Sequence, residues 1–432
     1  MSLSAAAAPV SLVRRYGRDR ALWTTIADVF AILAALTLPW STTLPGIFVP
    51  CWLGAVAWVM DWRAYGRLLK LPICYLPLAL VGLALVGTLW SDTSWSARLY
   101  AVGPTLKLLV LPGLFYHFER SSRGIWVFVA FLVSCALLMA MSWLVVVEPS
   151  LSLKTPDEPG GRGIFVKNYI DQSQEFALCA VALAYPIIRL LQASRIWQAL
   201  ALSALSLGFI VNMTFVIVSR TAMVTIPIML AVFALLHLKG RTSLLIFGTL
   251  AILAGLAFAA SPTLQKTTDT FVSDYRRYKN ENIPTSVGLR LEYWRKSLHF
   301  FTDAPVVGNG TGSTLGLFQR AAAGAEDNYH ATNQVIGNPH NQTLAVAVQW
   351  GAAGIILLYA MWLSHLRLFR GDDLVSWIGL LVVVQNIFTS LFNSHIFDFH
   401  EGWMYVFGVG VAGGMTLAAR LHNARAQPAG SS

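Results

Sequence analysis

Apolar runs of about twenty residues recur along this chain and constrain its fold more than any other feature. The run from Trp126 to Val147 contains no charged residue and does not alternate between apolar and polar positions. A helix of roughly 20 apolar residues crosses the hydrocarbon core of a bilayer and pairs its own backbone groups there. Charged residues make up 12% of the chain, against about 25% in an average soluble domain. The composition therefore excludes a soluble enzyme, a disordered chain and a disulfide scaffold.

Twelve apolar runs predict an all-α, polytopic membrane protein with about twelve transmembrane helices. A transmembrane β-barrel is excluded because its strands would alternate in segments of about ten residues. The predicted spans are about 21–39, 44–60, 71–90, 98–116, 124–147, 171–190, 196–218, 221–238, 243–260, 341–363, 374–393 and 402–420.

The basic residues lie in alternate loops and give the expected orientation. One side carries Arg63, Arg67 and Arg120 among many others, whereas the short loops of the other side carry only Arg98 and Arg220. Basic residues accumulate in cytoplasmic loops, so both termini are expected in the cytoplasm of a bacterial cell, with the protein in the inner membrane. The net charge of +10 then reflects topology, and no nucleic-acid partner is expected.

These spans divide the chain into five predicted parts. Residues 1–20 form a cytoplasmic N-terminus, 21–260 hold helices 1–9, 261–339 form a long periplasmic loop, 340–420 hold helices 10–12, and 421–432 form a disordered cytoplasmic tail. The long loop is expected to contain amphipathic helices, because Val287, Leu291, Trp294, Leu298 and Phe301 repeat at spacings of four and three residues. That helix either lies on the membrane with basic residues such as Lys296 near the headgroups or caps the bundle.

Two periplasmic positions are candidates for chemistry on an anionic substrate. Arg220 lies in a short turn between two spans and could clamp a phosphate or pyrophosphate, although an arginine at a helix end often only snorkels. His340 lies in the sequence Asn338-Pro339-His340-Asn341 at the start of a span, with Asn338 as the expected helix cap. Its ordinary pKa near 6.5 suits a general base, whereas a capping or packing role is the plainer alternative.

Three ionisable residues within spans complete the candidates. Lys107 and Glu175 are both expected in the periplasmic half, either as an ion pair or beside the site, and Asp28 is expected to be structural nearer the cytoplasm. The segment from Pro305 to Gly312 is glycine-rich and could present backbone N–H groups to an anion.

One cluster in the last periplasmic loop contains residue types that can bind metal. It consists of His395, Asp398, His400 and Glu401, but its spacing fits no established zinc motif. We therefore predict no metal and no cofactor, and Asp398 is interpreted instead as a group that could orient His340.

The order of these motifs resembles the O-antigen ligase and polymerase superfamily of bacterial lipopolysaccharide assembly. The resemblance covers roughly residues 165–400 and includes the Ser219-Arg220 turn, the Gly288 to Trp294 segment, the Pro305 to Gly312 segment and the Asn338 to Asn341 motif. It implies a GT-C-like fold and a periplasmic glycosyl transfer. The implied donor is a polysaccharide on undecaprenyl pyrophosphate, and the implied acceptor is a sugar hydroxyl of lipid A–core, both within a membrane.

The resemblance also implies the site residues. His340 takes the place of the catalytic histidine, and Arg220 and Arg290 take those of the arginines that bind the donor pyrophosphate, with Asn338, Asn341, Asp398, Glu175 and Lys107 in supporting positions. Arg276 and Arg277 match no motif. The chain length is similar to that of the ligases. The alternatives are an O-antigen polymerase, a protein O-oligosaccharyltransferase and, from another class, a polysaccharide-lipid transporter.

Overall fold

The computed structural model describes residues 19–153, 163–238, 240–323 and 330–426. Within these ranges the chain forms helices and turns and no β-strand, as the sequence predicts. Eighteen α-helices follow in chain order within the described part. They are α1 (Arg20–Thr37), α2 (Thr43–Val59), α3 (Trp62–Leu68), α4 (Pro72–Val86), α5 (Trp95–Val102), α6 (Leu111–Phe118), α7 (Gly124–Val147), α8 (Tyr169–Ala182), α9 (Ala184–Gln192), α10 (Ile196–Phe215), α11 (Arg220–His237), α12 (Gly240–Ala260), α13 (Pro262–Glu281), α14 (Ser286–Asp303), α15 (Ser313–Ala321), α16 (Gln342–Leu368), α17 (Leu374–Thr389) and α18 (Phe399–Ala426).

Nine helical stretches in the described ranges are long and apolar enough to cross a membrane. They are Arg20–Thr37, Pro72–Leu89, Trp95–Phe118, Gly124–Val147, Tyr169–Gln192, Ile196–Phe215, Gly240–Ala260, Gln342–Leu368 and Phe399–Arg425. The pair α2 and α3, bent by 115°, makes up to ten, and Val224–His237 and Leu374–Thr389 are shorter apolar helices. Every predicted span overlaps a helix, and the all-α membrane architecture is confirmed; the count of twelve stays a prediction.

The helix ends define two faces of the bundle. Residues 163–168, 261–323, 330–341 and 390–398 lie at one end, which we call the loop face. The short connections around residues 119–123, 193–195 and 369–373 lie at the other end, which we call the far face. Both faces cap their helices with side chains: Asn168 accepts N–H groups of α8 on the loop face, and Asp373 accepts those of α17 on the far face.

The centre of the bundle depends on close helix approach. In α18, a Cβ atom on Gly413 would lie only 2.1 Å from the ring of Phe115 in α6, so only glycine allows the two helices to pack at this distance. Small residues let helix backbones approach in membranes, where lipid tails give no hydrophobic drive to associate. The packing of α18 against α6 thus joins the C-terminal part of the described chain to its first third.

A break in α16 is filled by the glycine-rich segment. Gly351 has a φ of 59° inside this helix, and Ala352 and Ala353 donate their N–H groups to the carbonyls of Pro305 and Val306. Conversely, Gly310 donates its N–H to the carbonyl of Gln349. The prediction that the Pro305 to Gly312 backbone faces an anion is therefore wrong for the N–H groups of residues 309–312, because each is bonded within the protein.

Two further sequence predictions are corrected here. The buried face of α14 comprises Gly288, Glu292, Tyr293, Lys296, Ser297 and Phe300, whereas Leu298 of the predicted apolar face is 53% exposed. Lys296 is buried because its ammonium donates to the carbonyl of Thr332, so it does not face headgroups. Tyr293 and Phe300 pack with Phe318 and Val348, and the helix thus caps the bundle. At the C-terminus, α18 continues through residues 421–426, which were predicted to be disordered; residues 427–432 lie outside the described part.

Candidate active site

His340 lies at the loop face in a backbone conformation that few side chains adopt. Its φ is 52°, in the left-handed region, which costs a residue with a Cβ roughly 1–2 kcal/mol. The side-chain carbonyl of Asn338 accepts the N–H of His340 at 3.0 Å and holds this turn. Strained residues that are held in place occur often at active sites. The helix cap is Asn341 and not Asn338, since Asn341 accepts the N–H of Leu344 and α16 begins at Gln342.

The loop between α17 and α18 supports the imidazole of His340. Nδ1 of His340 lies 2.8 Å from Oδ1 of Asn393, and Nδ2 of Asn393 donates to Oδ2 of Asp398 at 2.7 Å. Ser394 donates to Oδ1 of Asn338 at 2.7 Å. Asp398 therefore reaches His340 through Asn393, and its suggested role in orienting His340 stays a prediction. Nε2 of His340 has no hydrogen-bond partner in the described part of the chain.

Helix α14 brings a cation and an aromatic ring to the same place. The ring centroids of Tyr293 and His340 are 6.3 Å apart, and the charge of Arg290 acts on both His340 and His395. Arg290 and Tyr293 are three residues apart and so lie on adjacent positions of one helical face. The long loop and the start of α16 thus place Arg290 and His340 together, as the motif order predicts.

Burial and charge set the protonation of this site. Burial lowers the pKa of His340 below its ordinary 6.5, with Arg290 acting in the same direction and the bond to Asn393 opposing it. Burial raises the pKa of Asp398 to about 6, against the lowering effect of Lys107. At neutral pH His340 is therefore neutral and able to accept a proton, and Asp398 is ionised. Asp398 loses its charge as the pH falls through about 6, and His340 takes up a proton only below its ordinary pKa.

His395 is the most enclosed histidine of the loop. Its side chain is fully buried, and neither ring nitrogen has a hydrogen-bond partner among the described residues. Burial, together with the nearby Arg290 and His340, lowers its pKa to about 3. His395 is therefore neutral at physiological pH.

A second group of ionisable side chains lies beneath this loop, where α8 and α18 begin. Nζ of Lys167 lies 2.7 Å from Nδ1 of His400 and 3.5 Å from Oε1 of Glu175. Nε2 of His400 lies 3.5 Å from Asp171, whose charge in turn acts on Glu401. We call Lys167, Asp171, Glu175, His400 and Glu401 the buried polar cluster.

The expected ion pair between Lys107 and Glu175 is corrected by these contacts. Lys167, which precedes α8, pairs with Glu175, whereas the ammonium of Lys107 donates to the main-chain carbonyls of Phe397 and Asp398. Lys107 therefore fixes the backbone of the loop that carries Asn393 and Asp398. Its position beside the site agrees with the other option given by the sequence.

Asp28 lies apart from this site, towards the far face. Its Oδ1 accepts from Ser121 at 2.6 Å and lies 2.8 Å from Nε2 of His117, and its Oδ2 lies 3.4 Å from Arg123. Each carboxylate oxygen therefore has at least one partner, as expected of a structural group.

Three of the four potential metal ligands of the last loop interact with other side chains. Asp398 accepts from Asn393, His400 lies between Lys167 and Asp171, and the charge of Asp171 acts on Glu401. Across the described ranges, no group of three or more His, Cys, Asp or Glu side chains is placed to hold a metal ion. Three members of the set that the sequence offers thus have partners within the protein, whereas the ring nitrogens of His395 have no hydrogen-bond partner among the described residues.

Arg220 is the first residue of α11 and follows the end of α10 after a connection of four residues, 216–219. Its side chain lies outside what the structure describes, so its suggested contact with a pyrophosphate stays a prediction. The neighbouring Ser219 is buried, which places the start of α11 within the bundle.

A lateral groove of about 440 Å³ opens beside this loop. Its walls are Gly103, Pro104, Leu106, Lys107, Val110, Phe397, Phe399 and Trp403. The groove is apolar apart from Lys107, whose ammonium is held by the loop carbonyls. Phe397 belongs both to this wall and to the loop that carries Asn393 and Asp398.

Sequence reasoning did not identify Asn393 or Lys167. Asn393 lies 53 residues from His340 along the chain, and Lys167 lies 233 residues from His400. The sequence feature that could have indicated Asn393 is the high proportion of polar residues around it. The stretch from Asn393 to Glu401, at the end of a span, contains six polar or ionisable side chains. Such residues at the edge of a membrane are functional candidates by default.

The fold and the site together define a multi-pass membrane protein. At its loop face, the neutral His340 lies close to the charged Arg290. Residues 205–359 match the family model described as O-antigen ligase, a stretch that includes Arg220, Arg290 and His340. This match assigns that region to the O-antigen ligase superfamily and confirms the resemblance seen in the sequence. The family implies a glycosyltransferase-like membrane enzyme of O-antigen assembly, with lipid-linked polysaccharide and lipid A–core as its substrates.

No curated protein matches the chain. The family match ends at residue 359, before the loop that holds Asn393, Asp398 and the start of α18. The contacts of that loop with His340 therefore come from the structure alone.

Proposed function

We propose that the protein is an O-antigen ligase that transfers polysaccharide from undecaprenyl pyrophosphate to a sugar hydroxyl of lipid A–core. The main support for this proposal is the state of His340, which is neutral and has a strained backbone conformation. Asn393 contacts its Nδ1, whereas its Nε2 has no partner among the described residues. The family match supports the same class of reaction. The site would face the periplasm, with both termini in the cytoplasm of the inner membrane.

His340 acts in this proposal as the general base. The acceptor oxygen attacks the anomeric carbon and forms the new glycosidic bond, while its proton passes to the imidazole. The bond from that carbon to the pyrophosphate oxygen breaks, and the electron pair leaves with the undecaprenyl pyrophosphate. Direct attack of this kind inverts the configuration of the anomeric carbon. A base whose pKa lies near the working pH is the most effective one.

The arginines act on the leaving group. Charge grows on the pyrophosphate as the bond breaks, and fixed cations close to it lower the barrier. Arg290 is held on the face of α14 near His340, and Arg220 begins α11. Guanidinium groups bind phosphate oxygens in a bidentate manner, which allows this stabilisation without a metal. Asn338, Asn341, Asp398, Lys107 and Glu175 support the geometry.

The lateral groove supports a lipid-linked donor. An isoprenoid chain lying against Phe397, Phe399 and Trp403 would remain in an apolar environment. Its pyrophosphate would then be held at the loop face beside Arg290. This arrangement brings the scissile bond to the level of His340.

Complementation of a ligase-deficient strain tests the base. His340→Ala is expected to give no lipopolysaccharide ladder at normal protein levels, whereas His299→Ala, whose side chain is 73% exposed, is expected to give a full ladder. A full ladder from His340→Ala would contradict the proposal.

Reconstitution identifies the acceptor. Purified protein with a defined lipid-linked donor is expected to glycosylate lipid A–core and to leave a second lipid-linked repeat unextended. Extension of the lipid-linked repeat instead would identify a polymerase.

A further inference from the structure

Asn393 lies between the proposed base and a carboxylate, and its amide contacts one of them at each end. Oδ1 lies 2.8 Å from Nδ1 of His340, and Nδ2 lies 2.7 Å from Oδ2 of Asp398. Asn338 adds a weaker contact, with its Nδ2 at 3.5 Å from the same Oδ1. The three side chains His340, Asn393 and Asp398, which we call the relay, therefore form one hydrogen-bonded row.

The chemistry of this row allows one direction only. An ionised carboxylate accepts hydrogen bonds and donates none, so the NH2 group of Asn393 must face Asp398. The carbonyl oxygen of the amide then faces His340, and an amide oxygen also only accepts. A neutral imidazole has one N–H and one lone pair, so its proton must lie on Nδ1, and its lone pair is on Nε2.

The surroundings hold this row in place. The ammonium of Lys107, from the segment Gly103–Val110, donates to the carbonyls of Phe397 and Asp398. The hydroxyl of Ser394 donates to the side chain of Asn338, which also binds the N–H of His340. His340, at one end of the relay, and Asp398, at the other, are thus both held by contacts with residues 394–398.

We propose that Asn393, oriented by the carboxylate of Asp398, is a positioning residue that keeps the proton of His340 on Nδ1 and presents Nε2 as the base. This inference rests on the proposed function, and it adds which nitrogen takes the acceptor's proton and which residue decides this. Asn393 touches no reacting atom; it acts through His340. The loss of a carboxylate that fixes a catalytic tautomer costs about 10⁴-fold in kcat in Ser–His–Asp enzymes.

The charges around Asp398 define when the relay works. Lys107 faces it from the segment before α6, Asp171 from α8, and Glu401 from α18. Burial raises the pKa of Asp398 to about 6. Above that pH the carboxylate accepts the amide protons of Asn393; below it, the orienting charge is lost.

Exchange of the two polar residues is the sharpest test. In Asp398→Asn the amide of Asn393 can rotate and present its NH2 to His340, so kcat is expected to fall about 10- to 1,000-fold while KM stays the same. In the double variant Asn393→Asp with Asp398→Asn, a carboxylate accepts the proton of Nδ1 directly and an amide faces that carboxylate. The exchange is expected to recover most of kcat and to shift the acid limb of the pH profile upwards, because the new carboxylate raises the pKa of His340.

A direct measurement of the tautomer does not depend on activity. With ¹⁵N-labelled histidine in nanodiscs, the signals lost in His340→Gln identify His340, and His299→Gln serves as the exposed control. We expect the wild-type signals of an Nδ1–H tautomer and a mixture of tautomers in Asp398→Asn.

Several outcomes would overturn the inference. These are an Nε2–H tautomer in the wild type, full activity of Asp398→Asn with an unchanged pH profile, and a folded double variant that recovers no activity. The last result would mean that Asn393 only pins the loop. If His340→Ala remains active, the proposed base fails, and the tautomer measurement still reports on the relay itself.

Discussion

Among the described residues, the buried charges towards the far face and those beneath the loop face are arranged differently. Towards the far face, Asp28 is matched by Ser121, His117 and Arg123. Beneath the loop face, both carboxylate oxygens of Glu175 lack a hydrogen bond among the described residues, and the nearest charge is the ammonium of Lys167 at 3.5 Å.

The difference separates groups that stabilise the fold from groups that are available to a ligand or a proton. Removing a buried carboxylate that is matched by donors leaves those donors unpaired and destabilises the fold, whereas a buried carboxylate that lacks donors is itself costly. Polar groups that remain unsatisfied are also found at His395, in the loop of the candidate site. We therefore expect substitutions near the far face to change stability and substitutions at the loop face to change catalysis.

The largest expected contrast is between two arginines. Arg290→Lys should lower kcat/KM about 100-fold, since an ammonium cannot make the bidentate contact of a guanidinium with pyrophosphate. Arg123→Lys, whose parent side chain is 51% exposed beside Asp28, should leave transfer unchanged. Both are measured in the reconstituted assay at matched protein concentration. Equal activities of the two variants would remove the distinction between the regions.

A smaller effect is expected for the carboxylate towards the far face. Asp28→Asn should destabilise the protein by about 2 kcal/mol, because the amide can keep its oxygen towards Ser121 and His117 only by turning its NH2 group towards the guanidinium of Arg123, and the charge that pairs with that guanidinium is lost. The thermal midpoint in detergent should fall, and the activity of the folded fraction should remain. A fall in activity without a fall in the midpoint would show that this region also serves catalysis.

The smallest effect on stability is expected at Glu175. Glu175→Gln removes a buried charge that has no described hydrogen bond, so the loss of its pairing with Lys167 is offset by the lower cost of burial. The change in the free energy of unfolding should lie within about 1 kcal/mol. The same thermal measurement, run beside Asp28→Asn, checks it; a larger loss than that of Asp28→Asn would reverse the comparison.

The sequence predicts the helical architecture well because the signal is local. Each apolar run, such as Trp126 to Val147, determines its own helix through the cost of bringing unpaired backbone groups into lipid. His340 and Arg290 are also predictable, since each belongs to a short motif. Their proximity in the structure follows from the packing of α14 on the start of α16.

The relay and the buried polar cluster are not predictable in the same way. Asn393 becomes meaningful only when the α17–α18 loop folds over the start of α16, and Lys167 only when α8 meets α18. The buried face of α14 was missed for a different reason. The periodicity of apolar residues predicts that the apolar side of α14 is the buried one. In the structure, Glu292 and Lys296 are also buried, because Glu292 pairs with Arg295 and Lys296 donates to the carbonyl of Thr332.

The break in α16 has a consequence for how the protein is made. Lipid offers no partners for the backbone groups that Gly351 leaves without helical bonds, and in the structure they pair with Pro305, Val306 and Gly310. These residues leave the ribosome before α16 does. The bent helix can therefore reach its final shape only when the segment from Pro305 to Gly310 lies beside it. The shape of α16 thus depends on a stretch of chain that is synthesised before it.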